Sequence, residues 1–254
     1  MTDFDAPLSG DDDRDDADGR VADGRHVPTG CEPLDELLGG GFEHETVSQV
    51  YGEPAAGKTN VVLSAAVRTA VAGGTVLYVD TEGLSLARLE QLVDARVAGD
   101  EAFSAAASRL LVTAVHDFEE QAEAVRDVEE FADSVDLVVL DSATGFYRLE
   151  RADDAAAGDA LRQVADQVTH LLSLARRHEF AVAVTNQVFT DPDSDRTRPL
   201  GGNTLAHWTG VVLRLDRFRG GNRRATLEKH RSKPTGESAT FRITDDGLAG
   251  GEPR

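Results

Sequence analysis

The sequence predicts an α/β fold: a mostly parallel central sheet flanked by helices, extended by C-terminal antiparallel strands. Three observations carry this reading. Short apolar runs alternate with helix-period stretches between residues 46 and 186. A glycine-rich loop of phosphate-binding type stands between the first of these runs and the helix after it. Beyond Asn186 the alternation stops, and a polar segment leads into strands of period two.

The elements follow in order. Residues 1–26 carry Asp3, Asp5, Asp11, Asp12, Asp13, Asp15, Asp16, Asp18 and Asp23 with little apolar surface to bury, so they are expected to be a disordered acidic tail. Structure is expected from Val27. Leu34, Leu37 and Leu38 have helical spacing, and Gly39-Gly40-Gly41 ends that helix. Residues 46–51 read as a strand and those from 60 to about 72 as a helix, broken by Gly73-Gly74. Four more buried strands are expected at 75–80, 110–114, 136–141 and 180–185, because their near-continuous apolar runs suit a sheet covered on both faces. Helices are expected at 84–98, 118–132 and 159–178, the last with Leu161, Val164, Val168, Leu171, Leu172 and Ala175 on one face. Residues 189–203 read as a mobile polar loop. Strands follow near 211–216, 224–229 and 238–243, with Gly220-Gly221-Asn222 turning between the first two. The ordered core is thus expected over 27–248, with 249–254 a C-terminal tail.

Composition narrows the class. At 254 residues the chain is one large domain, or a domain with a tail. It has neither a run of about 18 apolar residues nor an apolar leader, so a cytoplasmic protein with no membrane segment is expected. Cys31 is the sole cysteine, which excludes an internal disulfide and a cysteine-based zinc site. The formal net charge of −20 argues against non-specific attraction to nucleic acid. Lysine occurs only at 58, 229 and 233, every other basic side chain being arginine or histidine. Such an acidic, lysine-poor chain resembles proteins of extreme halophiles, where salt screens the self-repulsion.

The run Gly52-Glu53-Pro54-Ala55-Ala56-Gly57-Lys58-Thr59, followed by Asn60, fits G-x-x-x-x-G-K-[ST]. Its glycines let successive N–H groups converge on an anion, and the helix behind aims its N-terminus at the phosphates. Lys58 is then the cation for the β- and γ-phosphates of ATP, and Thr59 a ligand of Mg2+. Four apolar residues lead to Asp141, a strand end of Walker B type that would hold the water shell of Mg2+ opposite Thr59. Glu82 follows the second strand, where ligands sit in parallel sheets, and could orient or deprotonate an attacking water. Gln187 follows the fifth strand and could sense the γ-phosphate. Residues 214–233 are basic against the acidic background, which suits an interface, a nucleic-acid contact, a finger reaching a neighbour's ATP, or simply a charged hairpin face. The alternation Asp191, Asp193, Asp195 lacks the glycine and glutamate of a calcium loop, so no EF-hand is read there. His207 and Trp208 read as packing residues rather than ligands.

Taken together, these pieces resemble the RecA-type recombinase family, in its archaeal and eukaryotic branch. The resemblance rests on Thr29-Gly30, Leu34-Asp35, Leu37-Leu38-Gly39-Gly40-Gly41, Asp80-Thr81-Glu82-Gly83, Leu140-Asp141-Ser142, Thr185-Asn186-Gln187-Val188, Thr197-Arg198-Pro199-Leu200-Gly201-Gly202 and Phe241-Arg242-Ile243-Thr244. It runs unbroken over residues 27–248. It implies a RecA-like P-loop ATPase core, with Glu82 as catalytic glutamate and Gln187 as γ-phosphate sensor. Arg88, with one residue removed after Gly83, stands where a family arginine stacks on adenine. Arg148 opens the first DNA-binding loop, 148–158, which here carries Glu150, Asp153 and Asp154. Arg196, Arg198, Gly201, Gly202 and Asn203 belong to a shortened second loop. Lys229-His230-Arg231 resembles the K-x-R finger of KaiC-like relatives, with Lys229 and Arg231 reaching a neighbouring subunit.

Full-length RadA recombinases carry a helix-hairpin-helix domain before the core, where this chain has the acidic tail. Phe4-Asp5-Ala6-Pro7 also has proline where the family's polymerisation segment has alanine. The resemblance therefore implies a short accessory paralogue. It would be an ATP-binding, weakly hydrolysing protein of DNA repair and homologous recombination that binds single-stranded DNA modestly and assists the RadA recombinase, with a homo-oligomer open. Two other readings stay open: a KaiC-like signalling ATPase, and a non-catalytic adaptor that holds ATP as a structural ligand.

Overall fold

The computed structural model describes residues 24–147, 154–190, 197–218 and 221–251. The chain opens with β1 (His26–Val27), α1 (Glu32–Leu38), β2 (Phe42–Glu43), β3 (Val47–Gly52) and α2 (Lys58–Val71). It continues through β4 (Val76–Asp80), α3 (Leu86–Asp94), α4 (Asp100–Ala107), β5 (Leu110–Ala114), α5 (Phe118–Phe131), β6 (Leu137–Asp141), α6 (Asp154–His178) and β7 (Ala181–Asn186). It ends with β8 (Val188–Thr190), β9 (Thr197–Pro199), α7 (Gly202–Trp208), β10 (Val211–Arg217), β11 (Asn222–Lys229), β12 (Ser238–Thr244) and β13 (Gly247–Gly250).

The main sheet has the order β13-β12-β11-β10-β3-β7-β6-β4-β5. From β10 to β5 the strands run parallel, whereas β11, β12 and β13 are antiparallel additions. This is the mostly parallel sheet with antiparallel C-terminal strands that the sequence predicts. One detail differs: β10 is parallel to β3, pairing Val211 with Ser48 and Leu215 with Gly52, so the antiparallel part begins only at β11. Two-residue alternation divides the central strands between two cores. Tyr78, Val139 and Ala183 face the side packed by α2, while Val79, Leu140 and Val184 face α5 and α6.

Several elements depart from the sequence expectation. The helix expected at 84–98 ends at Asp94, and a separate α4 follows it, with Gly99 in a positive-φ conformation (φ 88°) between them. Helix α6 begins at Asp154, inside the stretch expected as the first DNA-binding loop. The polar segment after Asn186 contains a short hairpin, β8 with β9, whose register sets Phe189 opposite Arg198. Gly201, Gly202 and Asn203, expected as loop, stand at the start of α7. Strand β13 extends to Gly250, inside the stretch read as a C-terminal tail from 249. Strand β1 begins at His26, the last residue of the stretch read as the N-terminal tail. The rest of that acidic stretch up to Asp23, Phe4-Asp5-Ala6-Pro7 with it, lies outside the described residues, as do Asp191, Asp193 and Asp195. No helix among the described residues is long and apolar enough to cross a membrane.

Candidate functional site

The site lies beyond the carboxyl ends of the parallel strands, where open α/β sheets bind ligands. The phosphate loop links β3 to α2. Gly57 caps α2 in the left-handed region at φ 106°, a conformation that L side chains rarely adopt. Gly52 has no room for a side chain either: a Cβ there would lie 2.4 Å from the Leu215 carbonyl oxygen on β10. Lys58, buried, donates from Nζ to the carbonyls of Gly52 (3.0 Å) and Glu53 (3.3 Å), so it spans the loop from inside. Burial pulls its ammonium below the usual lysine range, against the pull of Glu82 and Asp141. Glu53, Pro54 and Ala55 are exposed at the rim, and Ala56 is buried beneath them.

A cavity of ≈ 540 Å³ opens over this loop, lined by Gly57, Lys58, Thr59, Asn60, Glu82 and Gln187 among others. The residues fit a nucleoside triphosphate with Mg2+: the loop approaches the cavity wall so closely that a Cβ at Gly57 would meet Ile243 Cδ1 at 3.0 Å, and a buried cation lies across the loop's floor. Asp141, at the end of β6, is buried. Its Oδ2 accepts from Tyr78 Oη at 2.7 Å, its Oδ1 accepts from Thr185 Oγ1, and the Thr59 side chain hydrogen-bonds to the same carboxyl. Burial raises this carboxyl above the ordinary aspartate range, and the three hydroxyl partners oppose that rise. Thr59 and Asp141, expected from the sequence as the Mg2+ pair, thus stand together.

Glu82 is presented by a turn that Asp80 builds. Asp80 Oδ1 accepts from the backbone N–H of Glu82 (3.1 Å) and Gly83 (3.0 Å), and Oδ2 accepts from Leu84 N–H (2.5 Å). Gln187 Nε2 donates to Glu82 Oε1 at 2.8 Å. Behind Gln187, its N–H donates to Thr144 Oγ1 (3.3 Å), and its carbonyl accepts from Leu200 N–H (2.8 Å). Asn186, wholly buried, accepts from Thr144 Oγ1 (2.7 Å) and donates from Nδ2 to the Leu200 carbonyl (2.7 Å). The end of the 189–203 segment is therefore fastened to the strand that carries Gln187.

Of the other residues named from the sequence, Arg88 lines an adjoining cavity with Thr59, Asn60, Glu82 and Asp141, and the rest stand elsewhere. Arg88 donates from Nη1 to the Asp245 carbonyl and from Nη2 to the Thr244 carbonyl, both at 2.6 Å, so it anchors α3 to the β12–β13 turn at the edge of the site. Lys229 and Arg231 lie at and just past the end of β11 remote from the phosphate loop, since Lys229 pairs with Val212 near the start of β10. Lys229 Nζ donates to the carbonyls of Ala206 (2.6 Å) and Thr209 (2.7 Å) and so caps α7. Arg231 Nη2 meets Glu43 Oε1 at 2.7 Å and Thr46 Oγ1 at 2.5 Å. Neither side chain projects freely as a finger would. Arg198 is exposed on β9. Arg148 and Arg196 lie outside the described residues.

Sequence reasoning assigned no role at the site to Asp80, Tyr78, Thr185 or Arg223. Asp80 had a local signal, since an aspartate at a strand end followed by Thr-Glu-Gly suits a carboxylate-capped turn. Thr185 stood only within the Thr185-Asn186-Gln187-Val188 run, Arg223 only within the basic 214–233 segment, and Tyr78 had no signal, because strand order alone brings these side chains to Asp141 and to the loop.

Fold and site together define a RecA-type core built around a phosphate-binding loop. A family model described as Rad51 matches residues 24–250. The DNA repair and recombination protein RadB of Halobacterium salinarum is 68% identical over 228 residues, 89% of this chain and 95% of that one. RadB of Methanococcoides burtonii is 40% identical over 219 residues, 86% of this chain and 95% of that one. The crystal structure of the RadB recombinase superposes with a TM-score of 0.76 at 38% identity, over 89% of this chain and 100% of that one. The chain belongs to the Rad51 family, in its RadB branch.

Proposed function

We propose that the chain is an ATP-binding accessory protein of DNA repair and homologous recombination. It acts beside the RadA recombinase, hydrolyses ATP weakly with Mg2+, and contacts single-stranded DNA modestly through the 189–203 segment. The observation that carries the reading is the continuous link from Glu82 through Gln187 to Leu200. A nucleotide site with no second task would not need its amide tied to the root of a polar segment. The relatives named as DNA repair and recombination proteins support the same reading.

Bound Mg2+-ATP would supply the phosphoanhydride bond and the negative charge for which the loop is shaped. The chain supplies the rest. Lys58 and the loop N–H groups neutralise phosphate oxygens, Thr59 and Asp141 hold the metal, and the Glu82 carboxylate accepts a proton from water at the cavity mouth. Gln187 senses whether Glu82 has another partner, and its carbonyl passes a change of position to Leu200. Arg148, Arg196, Arg198, Gly201, Gly202 and Asn203 would serve the DNA phosphates, the arginines as charges and the rest through backbone groups.

The domain reading is an acidic tail, a core and a short C-terminal tail, and the acidic chain is suited to a salt-rich cytoplasm. Fluorescence anisotropy of single-stranded DNA in molar KCl, with and without Mg2+-ATP, tests the function. Binding that requires ATP and is lost in Arg198→Ala supports it. No binding in any nucleotide state, at the lowest salt that keeps the protein folded, moves the assignment to an adaptor or a KaiC-like ATPase. The intrachain bonds of Lys229 and Arg231 favour the adaptor among these rivals, since residues held at home do not complete a neighbour's site.

A further inference from the structure

The β10–β11 hairpin breaks a pairing rule at one rung. Its antiparallel register sets Leu213 opposite Leu227 and Leu215 opposite Ala225, all four buried on the face that packs α2. Two residues further along that face, the same register sets Arg217 opposite Arg223. Like charges directly opposite each other destabilise a sheet, so this rung costs folding free energy. The neighbouring rung on the other face is complementary: Asp216 stands opposite Arg224, and Arg224 Nη2 meets Asp216 Oδ2 at 3.5 Å. Among the described residues no carboxylate pairs with Arg217 or Arg223.

The position of Arg223 gives that rung a purpose. A Cβ built on Gly57 would lie 3.3 Å from both Cδ and Nε of Arg223, so the arginine rests against the glycine of the phosphate loop. Arg223 and Ile243 wall the cavity that Lys58 and Thr59 floor. The Nε–H group of Arg223 is buried without a hydrogen-bond partner, while Nη1 is held by the Gly221 carbonyl. Burial, and then Arg217, pull the guanidinium below the usual arginine range. An unpaired, part-desolvated cation against an anion cradle is a donor waiting for an acceptor.

We propose that Arg223 binds the polyphosphate of the nucleotide held by its own chain, with Arg217 adding attraction from across the rung. The inference rests on the nucleotide-binding reading and deepens it. Arg223 belongs to the same chain as the loop it serves, so its contribution needs no assembly. The hairpin also carries Lys229 at its far end, so the strand that walls the cavity is the strand that caps α7.

Isothermal titration of ATP and of inorganic tripolyphosphate, in molar KCl with Mg2+, separates the possibilities. In Arg223→Ala both ligands should weaken about tenfold, the scale of one charge-assisted hydrogen bond, and Arg223→Lys should recover part of the loss. Unliganded thermal stability should stay level or rise in Arg223→Ala, because the like-charge rung is relieved. Three results overturn the proposal. One is unchanged affinity for both ligands in Arg223→Ala while Lys58→Ala abolishes binding. Another is weakening for ATP but not for tripolyphosphate, which would place Arg223 on the base or ribose. The third is a fall in unliganded stability with normal affinities, which would make Arg223 a packing residue. A parent chain that takes up neither ligand overturns the underlying reading together with the inference.

Discussion

The side-chain amide of Gln187 donates a 2.8 Å hydrogen bond to the carboxylate of Glu82, joining residues 105 positions apart in the chain. The two sit just past the ends of β7 and β4, which β6 separates in the sheet. The proposed role of Glu82 as proton acceptor can be tested by separating binding from turnover. Glu82→Gln should lower ATP turnover about 100-fold or more, the usual weight of a general base, while titrated ATP affinity stays within about threefold. Equal turnover in the variant would remove Glu82 from the chemistry.

Asp141 makes a pH-linked prediction. Burial raises its folded carboxyl above the ordinary value. Its favourable contribution is therefore complete below the unfolded aspartate value and is lost as pH climbs through the folded value. At neutral pH, above the unfolded aspartate value, that contribution is reduced in the metal-free protein. Asp141→Asn should raise Tm at pH 7 without Mg2+, by about 2–4 °C for each kcal/mol regained in a domain of this size, and the gain should vanish in acid. The same variant should lose the dependence of ATP affinity on Mg2+. Thermal melts across pH and titrations with and without Mg2+ would check both.

Lys229 holds the end of α7, and its replacement should be felt there. Lys229→Ala leaves the carbonyls of Ala206 and Thr209 without their cation and should cost about 1–3 kcal/mol. Amide exchange should quicken across Gly202–Trp208 more than across α5. Lys229→Arg should not restore protection fully, since a planar fork fits converging carbonyls less well than a compact ammonium. Lys233 does the same for α1, donating to the carbonyls of Glu36 and Leu37.

Asn186 should carry the signal between nucleotide and polar segment. Asn186→Ala removes the bonds to Thr144 and to the Leu200 carbonyl, both buried, at a cost of about 1–3 kcal/mol for each partner left unsatisfied. ATP affinity should remain within about twofold, because the residue does not line the cavity, whereas any ATP-dependent gain in DNA affinity should disappear. Anisotropy titrations of the variant with and without nucleotide would measure this.

The formal charge of −20 predicts a salt dependence of its own. Raising KCl from about 0.1 M to 1 M shortens the Debye length from about 10 Å to 3 Å and screens the self-repulsion, so Tm should rise over that range. A flat or falling Tm would count against adaptation to a salt-rich interior.

The phosphate loop, the alternation of β4, β5, β6 and β7 with their helices, and the placing of Asp141, Glu82 and Gln187 at strand ends can all be read from the amino-acid order. These are legible because loop chemistry and period-two or period-3.6 patterning are local properties of contiguous residues. By resemblance the sequence also offered Lys229 as part of a finger reaching a neighbouring subunit, whereas the side chain is bound within its own chain at the end of α7. That Gln187 reaches Glu82, that Tyr78 and Thr185 clasp Asp141, and that Lys229 caps a helix follow from the packed fold alone. The approach of Arg223 to Gly57 is of the same kind. Each of these depends on strand order, with β6 between β4 and β7, and β10 between β3 and β11. Strand order is set by how whole layers bury their apolar faces, so no window of sequence around any one of these residues contains it.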